Sequence, residues 1–397
     1  MTENGILSAG SPGNWWAWAG AHLAPAKAPP APAPVSPDPA SLGGQHFSGS
    51  AHTVLQSRDI HGNVVVNVGA RHGAPPDLVP WLGAVWQNCV DAGASVELRL
   101  LNSSERTLSA YLLCRVGAPD QSIALGTAAR LRGTLPGGLP RLTAKPVLDQ
   151  SRLSAVLEPF VPHQHGIVEI RKRLTAAHPT RRDARLPVLA AVTPLTGGAT
   201  SWQEIWATLA AFPAPALLSV RLQPFRVGPG LRARLELWSD EFARLAVPGT
   251  PVNPTWPERP PPDRFAVPAA PLYASALQRY TELAFEIRVS LASSVAMSND
   301  AAQLLASTIS PARPGAGFTG DAPVIIRPRT PEHAMVAWRN ITVLSADPIG
   351  PIAPAGFTDD AIGDVARALT TIADIHEAAS VFRPPYPIEG SPTRFAG

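Results

Sequence analysis

The sequence predicts a mixed α+β fold, with two small subdomains of sheet and helix behind a disordered, Pro/Ala-rich N-terminal tail. Hydrophobic residues make up 45% of the 397 residues, which is enough to bury a core. Segments with alternating apolar residues, typical of strands, are interspersed with segments of helical period. Many of the 45 prolines lie in clusters, and such clusters mark breaks between folded segments.

The N-terminal tail is predicted to comprise residues 1–45. Its tract APAKAPPAPAPVSPDPA forms an extended linker and buries too little apolar surface to fold. Trp15, Trp16 and Trp18 lie in the same tail. They indicate either a short docking peptide or part of an unstructured segment.

Residues 46–74 are predicted to form a short β-hairpin, because Val64–Val68 follow a Gly-Asn turn signal. Asp59, His61 and Asn63 stand at alternate positions just before this run. On a strand they would share one face and could form a metal or acid–base cluster. The alternative is that they flank the turn, where such residues are common.

Residues 75–160 are predicted to form a small α+β domain in the order helix, strand, strand, helix, strand, helix. The six segments are PDLVPWLGAVWQNCVDAG, SVELRLLN, TLSAYLLCRVG, SIALGTAARLRGTL, RLTAKPVLD and QSRLSAVLEPF. Cys89 and Cys114 lie in apolar contexts. We interpret them as half-buried free thiols, with a disulfide as the alternative.

Residues 161–390 are predicted to form a second α+β region, with a Pro-rich break at 248–271 and a tail at 391–397. Strands are predicted in GIVEIRKRLTAA, LPVLAAVTPLTGG, ALLSVRLQPFRV, AFEIRVSLASS, VIIRP and HAMVAWRNITVLS. Helices are predicted at 201–211, along the stripe from Leu231 to Leu245, in LYASALQRYTEL, at 299–307 and from Thr358 to Phe382. Ser201 and Glu204 form an S-x-x-E capping box for the first of these helices.

The sequence contains none of the common catalytic or nucleotide-binding motifs. GxxxxGK[ST], GxGxxG, HExxH, CxxC, GxSxG and an EF-hand loop are all absent. The three lysines, Lys27, Lys145 and Lys172, do not follow a glycine turn. We therefore expect no enzyme activity, no catalytic residue, no cofactor and no metal site in this chain.

Two histidine-containing motifs are candidate sites. His163 and His165 could place two imidazoles on one face for a metal, but no third ligand stands at suitable spacing, and a loop before a strand explains them more simply. His376 and Glu377 could act as acid–base partners. The simpler interpretation is that His376 continues the apolar face of the last predicted helix.

One dense run of positive charge is the candidate contact site. It comprises Arg171, Lys172, Arg173, Arg181, Arg182 and Arg185. These residues could contact a phosphate backbone or a partner, or they could form a solvated strand end and loop. No aromatic residues are interleaved for base stacking, and the net charge is only +3. We expect weak DNA contact at most and no attraction to membranes.

The sequence favours a cytoplasmic location. Its start, MTENGILSAGSPGNWWAWAG, has no basic n-region and no continuous apolar h-region. No window reaches the roughly 18 apolar residues that a membrane span needs.

Two segments of the second region resemble the part of HerA/FtsK-type and conjugative-transfer ATPases that precedes their motor domain. LYASALQRYTELAFEIRVSLASS resembles the helix and alternating strand that begin a half-domain there. IADIHEAASVFRPPYPIEG, with Phe382 to Pro387 and Gly390, resembles the segment that closes this region. No Walker A, Walker B or arginine finger occurs here, so no ATP-binding residue is carried over. VLQSRDIHGNVVVNV is similar to a segment of bacterial conflict-system proteins.

The resemblance implies a non-catalytic module that assembles with an ATPase subunit, grips its substrate and is able to form oligomers. The second resemblance implies instead a protein-binding component of a bacterial conflict system. In the first case Phe382 would pack in the core of the second region, and Pro384, Pro385 and Pro387 would leave it as an extended arm.

Overall fold

The computed structural model describes residues 5–26, 76–102, 107–197, 202–251, 258–386 and 393–396. The strands are β1 (Leu7–Ser11), β2 (Asn14–Pro25), β3 (Ser95–Asn102), β4 (Thr107–Ala118), β5 (Leu142–Pro146), β6 (Ile167–Arg171), β7 (Leu174–Ala177), β8 (Leu189–Val192), β9 (Ala216–Arg226), β10 (Leu283–Ser293), β11 (Val324–Ile326), β12 (Ile372–Ala373) and β13 (Arg394–Phe395). The α-helices are α1 (Val79–Cys89), α2 (Gln121–Thr134), α3 (Gln150–Leu157), α4 (Gln203–Ala210), α5 (Pro229–Leu245), α6 (Ala266–Arg279), α7 (Asn299–Ile309), α8 (Pro331–Thr342), α9 (Gly363–Thr371) and α10 (Ile375–Val381).

One large sheet organises the described part of the chain, in the order β1-β2-β4-β3-β9-β10-β6-β11. Every pair along this path is antiparallel. β5, β12 and β13 pair with β2, β10 and β4, while β7 and β8 form a separate hairpin. The mixed helix-and-strand class predicted from the sequence is confirmed. However, β3 pairs with β9 across the predicted boundary at residue 160, so the two predicted subdomains share one sheet.

The two faces of this sheet are covered differently. The main apolar core lies on one face, where α1, α2, α4, α7 and α10 pack. The other face carries many charged side chains and is covered by α3 and α8. A second apolar cluster joins β8 to α5, α6 and α9, with Phe242 stacked on Tyr273 at a ring distance of 4.5 Å.

The predicted disorder of residues 1–45 is wrong for the segment that forms β1 and β2. These strands form a hairpin closed by a two-residue loop, Pro12-Gly13, in which Gly13 has a φ of +87°. β2 then pairs with β4 over nine residues, and the alternate side chains of β2 enter the core. The tryptophans therefore belong to a strand, not to a docking peptide or an unstructured tail. Residues 27–45 and the predicted hairpin at 46–74 lie outside the described residues.

The predicted strand HAMVAWRNITVLS is helix α8. Its start carries the usual signals: Thr330 caps the helix by accepting the amide of His333 at 3.2 Å, and Pro331 occupies the first position. The aromatic and β-branched residues of the segment favoured a strand in the sequence. They do not decide the structure, because the capping signals and the packing of Ala337 and Ile341 favour a helix.

The predicted helix from Thr358 to Phe382 is interrupted. α9 begins at Gly363, β12 then pairs with β10, and Asp374 starts α10 with a capping box formed with Glu377. Phe382 does lie in the core, where its ring is 5.2 Å from Trp81. Within the described residues the extended-arm prediction is wrong, since Pro384 and Pro385 are buried.

Most of the remaining predicted elements match helices and strands of the structure within a few residues. The predicted strand GIVEIRKRLTAA is instead two strands, β6 in the large sheet and β7 in the separate hairpin. The Pro-rich break is shorter than predicted, because α6 already begins at Ala266. The predicted capping serine, Ser201, lies outside the described residues. Trp202 occupies the N-cap of α4 and makes no capping hydrogen bond with its side chain.

Candidate functional site

The charged face of the sheet holds an arginine cluster, defined here as Glu97, Arg99, Arg221 and Arg288. The register places these side chains on one face, because Glu97 is opposite Arg221, and Arg221 is opposite Arg288. All four are at most 3% exposed. Buried guanidinium groups need several partners, since each carries five N–H donors.

One carboxylate is shared by two arginines of this cluster. The Oε1 of Glu97 accepts from Nε of Arg99 at 2.7 Å, and its Oε2 accepts from Nη2 of Arg288 at 2.7 Å. Arg221 pairs with Glu286 at 3.0 Å, and the Glu286 side chain is 39% exposed. Burial, together with Arg221 and Arg99, lowers the pKa of Arg288 to about 10, although Glu97 opposes this shift.

The arginine cluster holds the C-terminal ends of the two helices that cover the charged face. Arg99 donates to the carbonyl of Val156 in α3 at 2.6 Å and to that of Ile341 in α8 at 2.5 Å. Arg221 donates to the carbonyl of Leu344, and Arg288 to that of Ser345. Cations are favourable there because the last carbonyls of a helix are unsatisfied and carry partial negative charge.

A lysine cluster lies near the end of β6 and is defined here as Lys172, Arg279, Tyr280, Asp374 and Glu377. Nζ of Lys172 is 2.7 Å from Oε1 of Glu377 and 2.8 Å from the hydroxyl of Tyr280. That hydroxyl donates to Oε2 of Glu377 at 2.6 Å. Arg279 pairs with Asp374 at 2.7 Å and with Glu377 at 3.1 Å.

Burial is the largest single influence on the pKa values of Lys172, Tyr280 and Glu377. It lowers the pKa of Lys172, which Glu377 only partly offsets, and it raises the pKa of Tyr280. Burial would also raise the pKa of Glu377, but Lys172 and Arg279 outweigh it and hold that pKa below the ordinary value. Burial and Glu377 therefore act in opposite directions on the pKa of Lys172, whereas the charged form of Glu377 is favoured.

Two of the six predicted contact residues are buried, so the prediction of a surface role is wrong for them. Lys172 is 3% exposed and belongs to the lysine cluster. Arg181 is 6% exposed; it pairs with Asp183 and donates to the carbonyl of Val247 at 2.7 Å. Sequence spacing did not reveal their partners, because Glu377 and Val247 are distant in the chain.

The other four predicted contact residues are at least partly exposed but do not form one free patch. Arg171 is paired with Glu169 at 2.5 Å, and Arg173 donates to the carbonyl of Ala322 at 2.7 Å. Arg182 is exposed, and so is Arg185, whose side chain is 75% exposed. The surface available for DNA at this position is therefore smaller than the sequence indicates.

The histidines of both motifs lie on the surface. His163 and His165 are exposed with ring centroids 5.7 Å apart, and the His163 ring accepts the amide of His165. Across the described residues no group of three His, Cys, Asp or Glu side chains is arranged to hold a metal ion. His376 is exposed while Glu377 is buried, so the predicted packing of His376 is wrong. Asp59, His61 and Asn63 lie outside the described residues.

The edge of the sheet at β1 adjoins an open groove. β1 pairs on one side with β2, and within the described residues no strand covers its other side. The groove between β1 and α3 has a volume of about 1120 Å³, open solvent included, and is lined by Leu7, Ser154, Phe160 and Val161 among others. Val161 is 86% exposed. Gln150 ties α3 to this edge by donating to the carbonyl of Ile6 at 2.8 Å.

Comparisons with known proteins identify no family to which the chain is similar. No model of a known protein family matches the chain, and no curated protein matches it either. Among the residues that the structure describes, no helix is both long enough and apolar enough to cross a membrane.

Proposed function

We propose that the chain is a non-catalytic assembly module that binds an extended segment of a partner protein at the β1 edge. The main support for this proposal is that one side of β1, beside the groove formed with α3, is not paired with another strand of the described chain. Ala9, Gly10 and Ser11 of this strand are exposed. An exposed edge strand offers unpaired N–H and C=O groups, and a peptide can add to it as a further strand.

The groove supplies the contacts that would select among such peptides. In an added strand every second side chain points to the same face. Side chains on the α3 side would meet Leu7, Phe160 and Val161, which favour apolar groups. Glu158, at the rim of the same groove, would favour a basic residue beside them. The expected ligand is therefore an extended peptide with alternating apolar residues and a basic flank.

The test uses the full-length chain and a phage-displayed library of linear peptides. Selected peptides are expected to show the alternating apolar pattern. Ala9→Lys places a charge on the edge strand, and Val161→Asp places one in the groove; each should weaken binding at least tenfold. Leu237→Asp on α5 is the matched control, because Leu237 is 66% exposed and lies outside the groove. No enrichment, or binding unaffected by both test variants, would refute the proposal.

Two kinds of partner agree with the resemblances in the sequence. A subunit of a HerA/FtsK-type ATPase is the first, with this chain gripping the substrate ahead of the motor. Another component of a bacterial conflict system is the second. The neighbouring coding frames distinguish them: a Walker A motif there favours the first partner, and an effector enzyme without one favours the second.

The proposed site of action is the cytoplasm. Cys89 and Cys114 are both free and buried, as a reducing compartment allows. Burial raises the pKa of each thiol to about 12, so neither is a reactive thiolate at neutral pH.

A further inference from the structure

A cavity opens beside the arginine cluster, between β6, β10 and the segment that follows α8. Its volume is about 530 Å³, with open solvent at its mouth included. Its charged lining residues are Arg171, Lys172, Arg288 and Glu169. Ile287 and Ile352 line it on the apolar side. A mixed lining of this kind is typical of sites for small organic ligands.

The two arginines at this cavity have donors to spare. Arg288 is 3% exposed, and its Nε is buried without any hydrogen-bond partner. Arg171 uses Nε and Nη2 on a single oxygen of Glu169, so within the described residues its Nη1 is free. A buried N–H without a partner is unfavourable, and a bound acceptor would relieve it.

The charge balance of this face also favours an anion. Five guanidinium groups, of Arg99, Arg115, Arg171, Arg221 and Arg288, are accompanied by the carboxylates of Glu97, Glu169 and Glu286. The C-termini of α3 and α8 contribute about half a negative charge each. About one positive charge therefore remains uncompensated on this face.

We propose that this cavity binds a small organic anion, whose carboxylate or phosphate is held by Arg288 and Arg171 and whose apolar portion lies on Ile287 and Ile352. The two free donors suit carboxylates and phosphates alike, because both anions offer several acceptor oxygens to charged N–H groups. The site is independent of the β1 edge, since α3 and β1 do not line the cavity.

The test is isothermal titration of the full-length chain at constant ionic strength with three probes: inorganic phosphate, butyrate and glycerol 3-phosphate. Saturable binding of at least one probe is expected. Arg171→Gln should weaken it at least tenfold, as should Arg288→Lys, which keeps the charge but loses Nε. Arg226→Gln is the matched control, because Arg226 is 56% exposed and pairs with Asp91 away from the cavity.

The probes distinguish the two oxyanions: a preference for butyrate indicates a carboxylate ligand, and a preference for either phosphate compound indicates a phosphorylated one. Absence of saturable binding for all three probes would overturn the proposal. So would equal affinity in the wild type and in whichever of the two cavity variants folds, or an equal loss in Arg226→Gln.

Discussion

The arginine cluster lies on strands of the large sheet, whereas the lysine cluster joins the end of β6 to α6 and α10, and the two clusters balance charge in different ways. In the arginine cluster two guanidinium groups share the single carboxylate of Glu97, and backbone carbonyls at two helix ends supply the remaining acceptors. In the lysine cluster Lys172 and Arg279 face Glu377 and Asp374, so that side chains balance one another. In the first arrangement one buried acid serves two arginines, whereas the second distributes its charges over several groups.

This difference predicts unequal sensitivity to the loss of one charge. Removing a partner from a buried ion pair is strongly destabilising, because the remaining charge stays desolvated. Where one residue serves two partners, its loss leaves two charges unpaired. Where partners are redundant, the remaining groups compensate. Five substitutions test this comparison.

Glu97→Gln is expected to have the largest effect. It leaves Arg99 and Arg288 buried without a carboxylate, and the free energy of unfolding should fall by about 3–5 kcal/mol. Glu286→Gln is the matched control on the same face. Glu286 is 39% exposed and its partner Arg221 keeps the carbonyl of Leu344, so the cost should stay below about 1 kcal/mol. Urea unfolding at pH 7 measures the free energy of unfolding of both variants. Equal losses would show that an acid shared by two arginines, Glu97, is no more important than an acid with one partner, Glu286.

Lys172→Met is expected to cost less, on the order of 2–3 kcal/mol. Glu377 then still accepts from Tyr280, from Arg279 and from the amide of Leu195 at 2.9 Å. In the double variant Lys172→Met with Glu377→Gln the two losses should not add. A coupling energy of about 1–3 kcal/mol is expected for residues in direct contact. Additive losses would show that the two side chains do not stabilise each other.

Much of the architecture follows from the sequence, because the local period determines most helices and strands. The strands β3, β4, β9 and β10 and the helices α1, α2 and α7 were predictable from alternation and from apolar stripes. α8 was not, although Thr330, Pro331 and Glu332 form a recognisable helix start. Its aromatic and β-branched residues suggested a strand, and a tertiary contact with the sheet overrides such local preferences.

The candidate sites were harder to predict, because their partners come from distant parts of the chain. Glu97 and Arg99 alternate with apolar residues, as on a strand with one solvated face, but α3 and α8 bury that face. A signal was present in the sequence: β9 carries Arg221, and β10 carries Glu286 and Arg288, within mainly apolar strands. Complementary charges on several apolar strands indicate a buried network. The order of the strands, which brings these charges together, cannot be read from the sequence.

The lysine cluster should also respond to acid. The pKa of Glu377 is lower in the folded chain than in the unfolded chain. Its stabilisation is therefore complete above the unfolded value, about 4.3, and is lost as the pH falls through the folded pKa. Glu377→Gln should flatten the decrease in unfolding free energy between pH 5 and about pH 3. Parallel wild-type and variant curves over this range would show that Glu377 carries no such pH dependence.

His376→Ala should have the smallest effect, although His376 is adjacent in sequence to the most connected acid of the lysine cluster. The imidazole is exposed, and the contact of this residue with Asp374 is made by its backbone amide at 2.8 Å, which alanine retains. Alanine is also a better helix former than histidine, so α10 loses nothing locally. Exposed substitutions of this kind usually change the free energy of unfolding by less than about 0.5 kcal/mol. Urea unfolding of His376→Ala and Glu377→Gln side by side measures the contrast between neighbours. A loss above about 1 kcal/mol for His376→Ala would mean that its ring contributes to the lysine cluster. The contrast between the buried acid Glu377 and its exposed neighbour His376 would then be wrong.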